Sequence, residues 1–233
     1  MKLTWLGQAG FLIETDGKRI LIDPYLSDRV KDFEPENWRR IPVDERFLHL
    51  QPDLILITHN HLDHLDKETL VHYLTPDSHA LVFSPEGGYQ ELRASFPGTK
   101  CNYILFNTGS EWTEGNVRLR AVPAEHSDPH AVGYILTAEG KNYYFTGDTL
   151  YSERVFAGLP REPLFAVFLP VNGKGNNMNM ADASRFALRT GARFAVPMHI
   201  GMFDTMTDAA FCHPGRITPN IYCEVVFPED DSD

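Results

Sequence analysis

The chain has 233 residues, and its 32 acidic side chains against 21 lysines and arginines leave a formal charge of −11 at neutral pH. This acidity argues against a nucleic-acid-binding protein, because affinity for nucleic acids depends on cations that contact phosphates. A composition that is 42% hydrophobic and 23% charged is typical of a globular protein with a sizeable core. We expect a single domain over residues 1–233, since no repeat or low-complexity linker marks a boundary.

The cysteines and the hydropathy indicate the cellular compartment of the protein. Cys101, Cys212 and Cys223 are scattered, unlike the paired framework of a small secreted protein. No apolar run approaches the roughly 20 residues that a membrane-spanning helix needs, and no leader-like segment precedes the first predicted strand. We therefore expect a cytoplasmic protein that does not bind nucleic acid or a membrane; its oligomeric state is left open.

The predicted elements alternate between strands and helices along the chain. Residues 3–6, 11–15 and 19–22 form short apolar runs, and Asp16-Gly17 between the last two is a strong hairpin signal. Periodicity and run length predict the rest. Further strands are expected at 54–57, 80–83, 103–106, 117–122, 134–137, 143–145, 164–169 and 194–196, and helices at 67–74, 89–96, 152–159 and 181–189.

Two segments do not fit this alternation. Residues 27–51 form a polar stretch too long for an ordinary connection, and loops of this kind often serve as lids or binding loops. The acidic tail at 228–233 is expected to fray.

The segment Thr58-His-Asn-His-Leu-Asp-His-Leu-Asp66 directly follows the aliphatic run at 54–57. Imidazole and carboxylate are the ligands of zinc, iron and manganese, and no cysteine lies nearby to form a thiolate site. Four donors on one tight turn cannot all reach a single ion, because alternate residues of an extended segment point in opposite directions. The spacing therefore predicts two metals.

Additional donors follow other predicted strands. His126, Asp148 and His199 come after the strands at 117–122, 143–145 and 194–196. If those strand ends share one edge with His59, the donors converge. The remaining histidines lack neighbouring acids and are expected to be structural, except His130, for which a surface role is favoured over contact with substrate. The structural set is His49, His72, His79 and His213.

These residues resemble the metallo-β-lactamase superfamily, whose hallmark is the T-H-x-H-x-D-H turn seen at Thr58–His64. The likeness extends to W-L-G-Q-A-G-F at 5–11, I-D-P at 22–24, G-D-T at 147–149, F-L-P at 168–170 and V-P-M-H at 196–199. Within the superfamily the chain is most similar to the L-ascorbate-6-phosphate lactonase-like branch. Asp66, the Gly7/Gly10 pair and the polar segment 172–180 support that narrower placement less specifically.

The resemblance implies a fold and a ligand set. The fold is a four-layered αββα sandwich of the α+β class, with two divalent metals, zinc or manganese or else iron, at one edge between the sheets. The implied ligands are His59, His61 and His126 for the first metal and Asp63, His64 and His199 for the second, with Asp148 bridging them and Asp23 orienting ligands from behind.

The expected activity is metal-dependent hydrolysis by a hydroxide that two metals activate, with Asp63 and Asp148 as catalytic residues. The lactonase-like likeness favours opening the lactone of a small polar or phosphorylated sugar acid. Arg39, Arg40 and Lys174 are candidate cations for such an anion, although plain surface charges are the simpler interpretation.

Four other functions are also compatible with the motif, to different degrees. A nuclease is disfavoured by the charge, and a diiron oxygen-reducing enzyme by His61, where that branch has an acid. A noncatalytic metal-binding module predicts metal without turnover. A phospholipid-directed phosphodiesterase remains the runner-up, because Met202, Phe203 and Met206 near His199 offer an apolar entry, although such residues are more often core.

Overall fold

A computed structural model describes residues 1–203 and 207–228, and shows two six-stranded mixed sheets. The first sheet has the order β1-β2-β3-β4-β5-β6, in which β1 to β3 are antiparallel and β3 to β6 are parallel. Its strands are β1 Lys2–Gly7, β2 Gly10–Thr15, β3 Lys18–Ile22, β4 Leu54–Leu56, β5 Leu81–Ser84 and β6 Asn102–Leu105.

The second sheet has the order β12-β11-β10-β9-β8-β7, with parallel pairing from β10 to β12 and antiparallel pairing from β7 to β10. Its strands are β7 Glu111–Glu114, β8 Val117–Pro123, β9 Val132–Ala138, β10 Lys141–Phe145, β11 Ala166–Pro170 and β12 Phe194–Met198. The helices are α1 Lys67–Leu70, α2 Glu86–Ser95, α3 Glu153–Gly158 and α4 Met180–Thr190.

The two sheets pack face to face and the helices cover their outer faces. Aromatic side chains join the sheets: the ring of Phe11 lies 5.4 Å from that of Phe145 and 5.1 Å from that of Phe168. Helix α2 packs on β5 and β6, whereas α3 packs on β8 and α4 on β11. The four-layered αββα sandwich is confirmed.

Local sequence explains most of the element ends. Asp16 and Gly17 both have positive φ, 50° and 72°, as the tight β2–β3 hairpin requires. Gly191 ends α4 in the left-handed conformation, and the Asn179 side chain caps its first turn by accepting from the Asp182 N–H.

Three features differ from the sequence expectations. The predicted helix at 67–74 is α-helical only to Leu70 and continues as turns. Strand β7 is not among the strands predicted from the sequence, because the strand lies at a sheet edge and Trp112 is its only apolar side chain. The long stretch 27–51 contains two short 3₁₀ helices, Arg29–Asp32 and Glu45–His49.

We call residues 27–51 the entrance loop. Of the expected frayed tail, residues 229–233 lie outside the described part of the chain. Among the described residues, no helix has both the length and the apolar character that crossing a bilayer requires.

Candidate metal centre

The chemically active side chains follow strands that run in one direction in both sheets. Gln8 follows β1, Asp23 follows β3 and the His59–His64 segment follows β4; in the second sheet His126, Asp148 and His199 follow β8, β10 and β12. Since these carboxyl ends meet at one edge of the sandwich, distant parts of the chain converge there.

Seven candidate donors form two adjacent groups. Within each group the donor atoms lie within 4.8 Å of one another. The first group is His59, His61, His126 and Asp148, and the second is Asp63, His64 and His199. The structure thus brings together every residue that the sequence singled out as a metal ligand.

Asp148 also contacts the second group. Its Oδ1 lies 3.2 Å from His64 Nε2 and its Oδ2 lies 3.3 Å from His199 Nε2. The His199 Nε2 atom is in turn 3.1 Å from Asp63 Oδ2. One carboxylate therefore stands between the two groups and contacts donors of both.

The donor atoms have the surroundings of a cation site. Four imidazole nitrogens and one carboxylate oxygen are buried and form no hydrogen bond of good geometry among the described residues, although some lie close to one another: Nε2 of His59, His64, His126 and His199, and Oδ1 of Asp148. Burying a polar atom without a partner is costly. Because all five point into one cluster of imidazole and carboxylate, divalent cations with borderline or hard character fit these residues.

A buried carboxylate orients the histidines from behind. Asp23 Oδ2 is 2.8 Å from His64 Nδ1, and Asp23 accepts from both the N–H and the hydroxyl of Thr58, at 2.8 and 2.6 Å. The Thr58 hydroxyl lies 3.0 Å from His59 Nδ1. Holding a proton on Nδ1 of His64 leaves its Nε2 lone pair free for a cation, which is how such partners support metal sites.

Three carboxamides that the sequence analysis did not assign complete this surrounding layer. Gln8 Nε2 donates to Asp63 Oδ2 at 3.2 Å, and Asn177 Nδ2 donates to Asp148 Oδ2 at 2.9 Å. Asn172 Nδ2 lies 3.0 Å from His199 Nδ1. The only sequence signal was their position, since Gln8 follows an apolar strand and the two asparagines belong to the polar segment 172–180.

Backbone geometry at the site is unusual. Gln8, Asp23 and His199 have φ values of 48°, 41° and 63°, a region that side-chain-bearing residues seldom adopt. Gly147 has φ of 60°, and a Cβ there would meet the Thr58 side chain at 2.8 to 3.0 Å. Only glycine lets the end of β10 approach Thr58 closely enough to place Asp148.

The electrostatics of the cluster keep the acids ionised. Burial raises the pKa of Asp63 and of Asp148, but neighbouring histidines outweigh it and hold both pKa values below the usual range. Burial lowers the pKa of His126 to about 4. For His199 burial also lowers the pKa, but Asp148 and Asp63 raise it to about 10.

A cavity of about 430 Å³ opens above the donors. Its floor contains His61, Asp63, Asp148 and His199, and the entrance loop contributes Val30, Glu34 and Asn37 to its wall. The remaining lining comes from Gln8, Asn60, Leu62, Asn172, Lys174, Gly175, Asn176, Asn177, Ile200, Gly201 and Phe203. The entrance loop thus borders the site, as the sequence indicated.

The three candidate cations have different positions relative to the cavity. Lys174 lines the cavity, but Arg39 and Arg40 are not among the described lining residues. Arg39 is buried and donates to the Tyr25 carbonyl at 2.8 Å and to the Tyr222 hydroxyl, whereas Arg40 lies over the Trp38 ring. Arg39 therefore holds the loop and does not face a ligand, because its guanidinium group donates to buried and half-buried groups of the protein. Arg40 is an exposed side chain that stacks on Trp38.

The structure also locates the other histidines and the apolar residues that the sequence singled out. His130 is exposed and is not among the described residues that line the cavity. Phe203 lines the cavity, and Met202 is buried beneath the lining. Met206 lies outside the described residues. His49, His72 and His79 border a separate cleft, and His213 accepts from the Gly215 N–H, so these four histidines stay apart from both donor groups.

Comparison with known proteins agrees with this geometry. Residues 18–200 match the family model of the β-lactamase superfamily domain. A UPF0173 protein of Pyrococcus furiosus is 33% identical over 205 residues, covering 87% of this chain and 85% of that protein. A UPF0173 metal-dependent hydrolase of Methanopyrus kandleri is 31% identical over 216 residues, with the same coverage.

Solved structures share the fold. A metallo hydrolase from Ignicoccus hospitalis superposes with a TM-score of 0.72 at 22% identity, covering 98% of this chain and 99% of that one. A possible metal-dependent hydrolase from Veillonella parvula gives a TM-score of 0.76 at 18% identity, covering 97% and 98%.

The chain belongs to the metallo-β-lactamase superfamily. Both relatives are UPF0173 proteins, and the one from Methanopyrus kandleri is named a metal-dependent hydrolase. This protein is a metal-dependent hydrolase of the same superfamily.

Proposed function

We propose that this protein is a dinuclear hydrolase that opens the lactone ring of a small polar or anionic acid. The observation that carries the proposal is Asp148, whose two oxygens face histidines of the second donor group while the residue also belongs to the first. A carboxylate in that position could contribute a ligand to each of two cations.

The residues present assign the ligands. His59, His61 and His126 would hold one cation and Asp63, His64 and His199 the other, with Asp148 shared. When bound, two divalent cations lower the pKa of a water molecule and polarise a carbonyl oxygen.

The chain's own groups do the positioning. Asp23 fixes the proton of His64 on the side away from the site, and Gln8 and Asn177 fix the carboxylates of Asp63 and Asp148 by donating to them. These contacts preorganise the floor of the cavity, so that little rearrangement is needed during the reaction.

The overall reaction is ester hydrolysis within a ring. The oxygen of water bonds to the lactone carbonyl carbon, the ring C–O bond breaks, and a proton from the water passes to the departing alkoxide. Asp63 is the candidate to accept and relay that proton, because it lines the cavity beside the other donors. The product is an open-chain hydroxy acid.

The lining supports a small substrate with a polar end. Ligand cavities for small molecules have volumes of about 300–1,000 Å³, and this one is at the small end. Lys174 with Asn176 supplies a cation and an amide to one side of the donors. A phosphodiesterase is the second candidate, and the apolar side chains of Leu62 and Phe203 in the cavity lining are the observation in its favour.

A turnover screen distinguishes the two candidates. The protein is loaded with zinc or manganese and offered γ-butyrolactone, δ-valerolactone and bis-p-nitrophenyl phosphate. We expect lactone turnover that falls at least a hundredfold in Asp148→Asn, with the exposed Asp77→Asn as matched control. Turnover of the diester alone would replace the lactonase proposal, and no turnover of any ester by metal-loaded protein would favour a noncatalytic metal-binding module.

A further inference from the structure

One side of the cavity is an apolar wall formed by Val30, Leu62 and Phe203. These side chains pack on the buried residues Tyr25 and Met202. The Tyr25 and Phe203 rings meet edge to face at a centroid distance of 5.7 Å. The wall is therefore a packed surface supported from below and not a set of isolated exposed side chains.

The apolar wall is next to the candidate metal ligands. Leu62 stands between His61 and Asp63 in the sequence, and all three residues line the cavity. Val30 reaches the same cavity from the first 3₁₀ helix of the entrance loop. Apolar side chains and candidate metal ligands thus line the same cavity.

Another part of the cavity lining has a different chemistry. It consists of Lys174, Asn176 and Asn177, all from the loop between β11 and α4. A substrate that is polar on every face would place hydroxyl groups against Val30 and Leu62, where they lose water and gain no hydrogen bond. The cavity fits a molecule with two unlike ends.

We propose that the substrate is an amphipathic lactone whose alkyl arm lies against Val30, Leu62 and Phe203 and whose polar end points towards Lys174 and Asn176. This inference rests on the proposed hydrolase function and narrows its substrate class. It makes the apolar wall a specificity-determining surface.

A graded series of substrates tests the inference. γ-Lactones carrying no arm, an ethyl, a butyl or a hexyl arm at the ring carbon beside the ester oxygen share one electrophile. Each buried methylene contributes about 0.8 kcal/mol, which corresponds to about a fourfold rise in kcat/KM. We expect this rise to continue until the arm has covered the wall.

Matched variants locate the effect. Val30→Thr keeps the shape of the side chain but replaces a methyl group with a hydroxyl, and Phe203→Ser removes the ring. Both should flatten the dependence on arm length while leaving metal content unchanged. Leu188→Ser is the control, because Leu188 is 57% exposed on α4 and does not line the cavity. It should reproduce the slope of the unmodified protein.

A binding series separates this inference from the proposed function. γ-Lactams with the same arms resist hydrolysis, so calorimetry measures their affinity without turnover. Affinity that rises about fourfold per methylene supports the wall even when no lactone is opened, a result that would overturn the lactonase proposal alone. Affinities and kcat/KM values that are flat or fall with arm length would overturn the inference while leaving hydrolysis intact.

Discussion

Removing the charge of Asp23 should weaken metal binding although Asp23 lies behind the ligands. Its carboxylate is fully buried and accepts three hydrogen bonds: Oδ1 from the Thr58 N–H, and Oδ2 from the Thr58 hydroxyl and from His64 Nδ1. In Asp23→Asn the oxygen can keep the first bond, but an NH₂ group replaces the acceptor of the other two. His64 Nδ1 then becomes the acceptor, and its proton moves to Nε2, the atom that faces the donor cluster.

The expected magnitude follows from those contacts. Supporting partners of metal-bound histidines are worth about 10- to 100-fold in metal affinity, or about 1.4–2.7 kcal/mol. Each lost charge-assisted hydrogen bond also costs about 1.5–3 kcal/mol of stability. We therefore expect a 10- to 100-fold higher Kd for zinc together with a lower midpoint of thermal unfolding.

A competition titration against a fluorescent zinc chelator measures the affinity. Asp53→Asn is the matched control, since Asp53 is exposed and accepts from the backbone N–H of Arg19 at the far end of the sheet. An Asp23→Asn protein that is folded and binds zinc within twofold of the unmodified protein would refute the orienting role.

Two further substitutions test how the site is built. Gly147→Ala should lower the free energy of unfolding by about 2–4 kcal/mol, because the new Cβ meets Thr58 and φ is positive. Gly17→Ala is the control, since it shares the positive φ but its Cβ meets open space. Equal losses of stability in the two variants, measured by calorimetry, would contradict the close approach of Gly147 to Thr58. Arg39→Met should speed amide hydrogen exchange in the entrance loop about tenfold, since a buried hydrogen bond worth about 1.4 kcal/mol is lost. Arg40→Met, which removes only an exposed stacking contact, should leave exchange unchanged, and equal effects of the two changes would show that the loop is held in another way.

Most of the candidate metal ligands could be predicted from the sequence because four of them lie close together in one short segment. His59, His61, Asp63 and His64 follow one buried strand within six residues, and metal chemistry restricts what such a cluster can do. The convergence of His126 and His199 was also predictable, since each follows a strand whose carboxyl end reaches the same edge.

The surrounding layer could not be found in this way. Gln8 and Asn177 are ordinary carboxamides in sequence, and their role depends on which carboxylate the fold places beside them. Arg39 has the appearance of a surface cation or a ligand for an anion, but its partner Tyr222 lies 183 residues away. Strand β7 pairs at a sheet edge with few apolar residues, so neither periodicity nor composition marks it.

The central claim is that one carboxylate joins two metal sites, and metal content per chain tests it most directly. Mass spectrometry on freshly purified protein should find about two equivalents of transition metal, and Asp148→Ala should retain clearly less, since the residue contributes to both donor groups. Asp77→Ala, at an exposed position outside the site, should keep the full content. Well under one equivalent in the unmodified protein, with no recovery on adding zinc or manganese, would contradict the assembled site and with it the proposed hydrolysis.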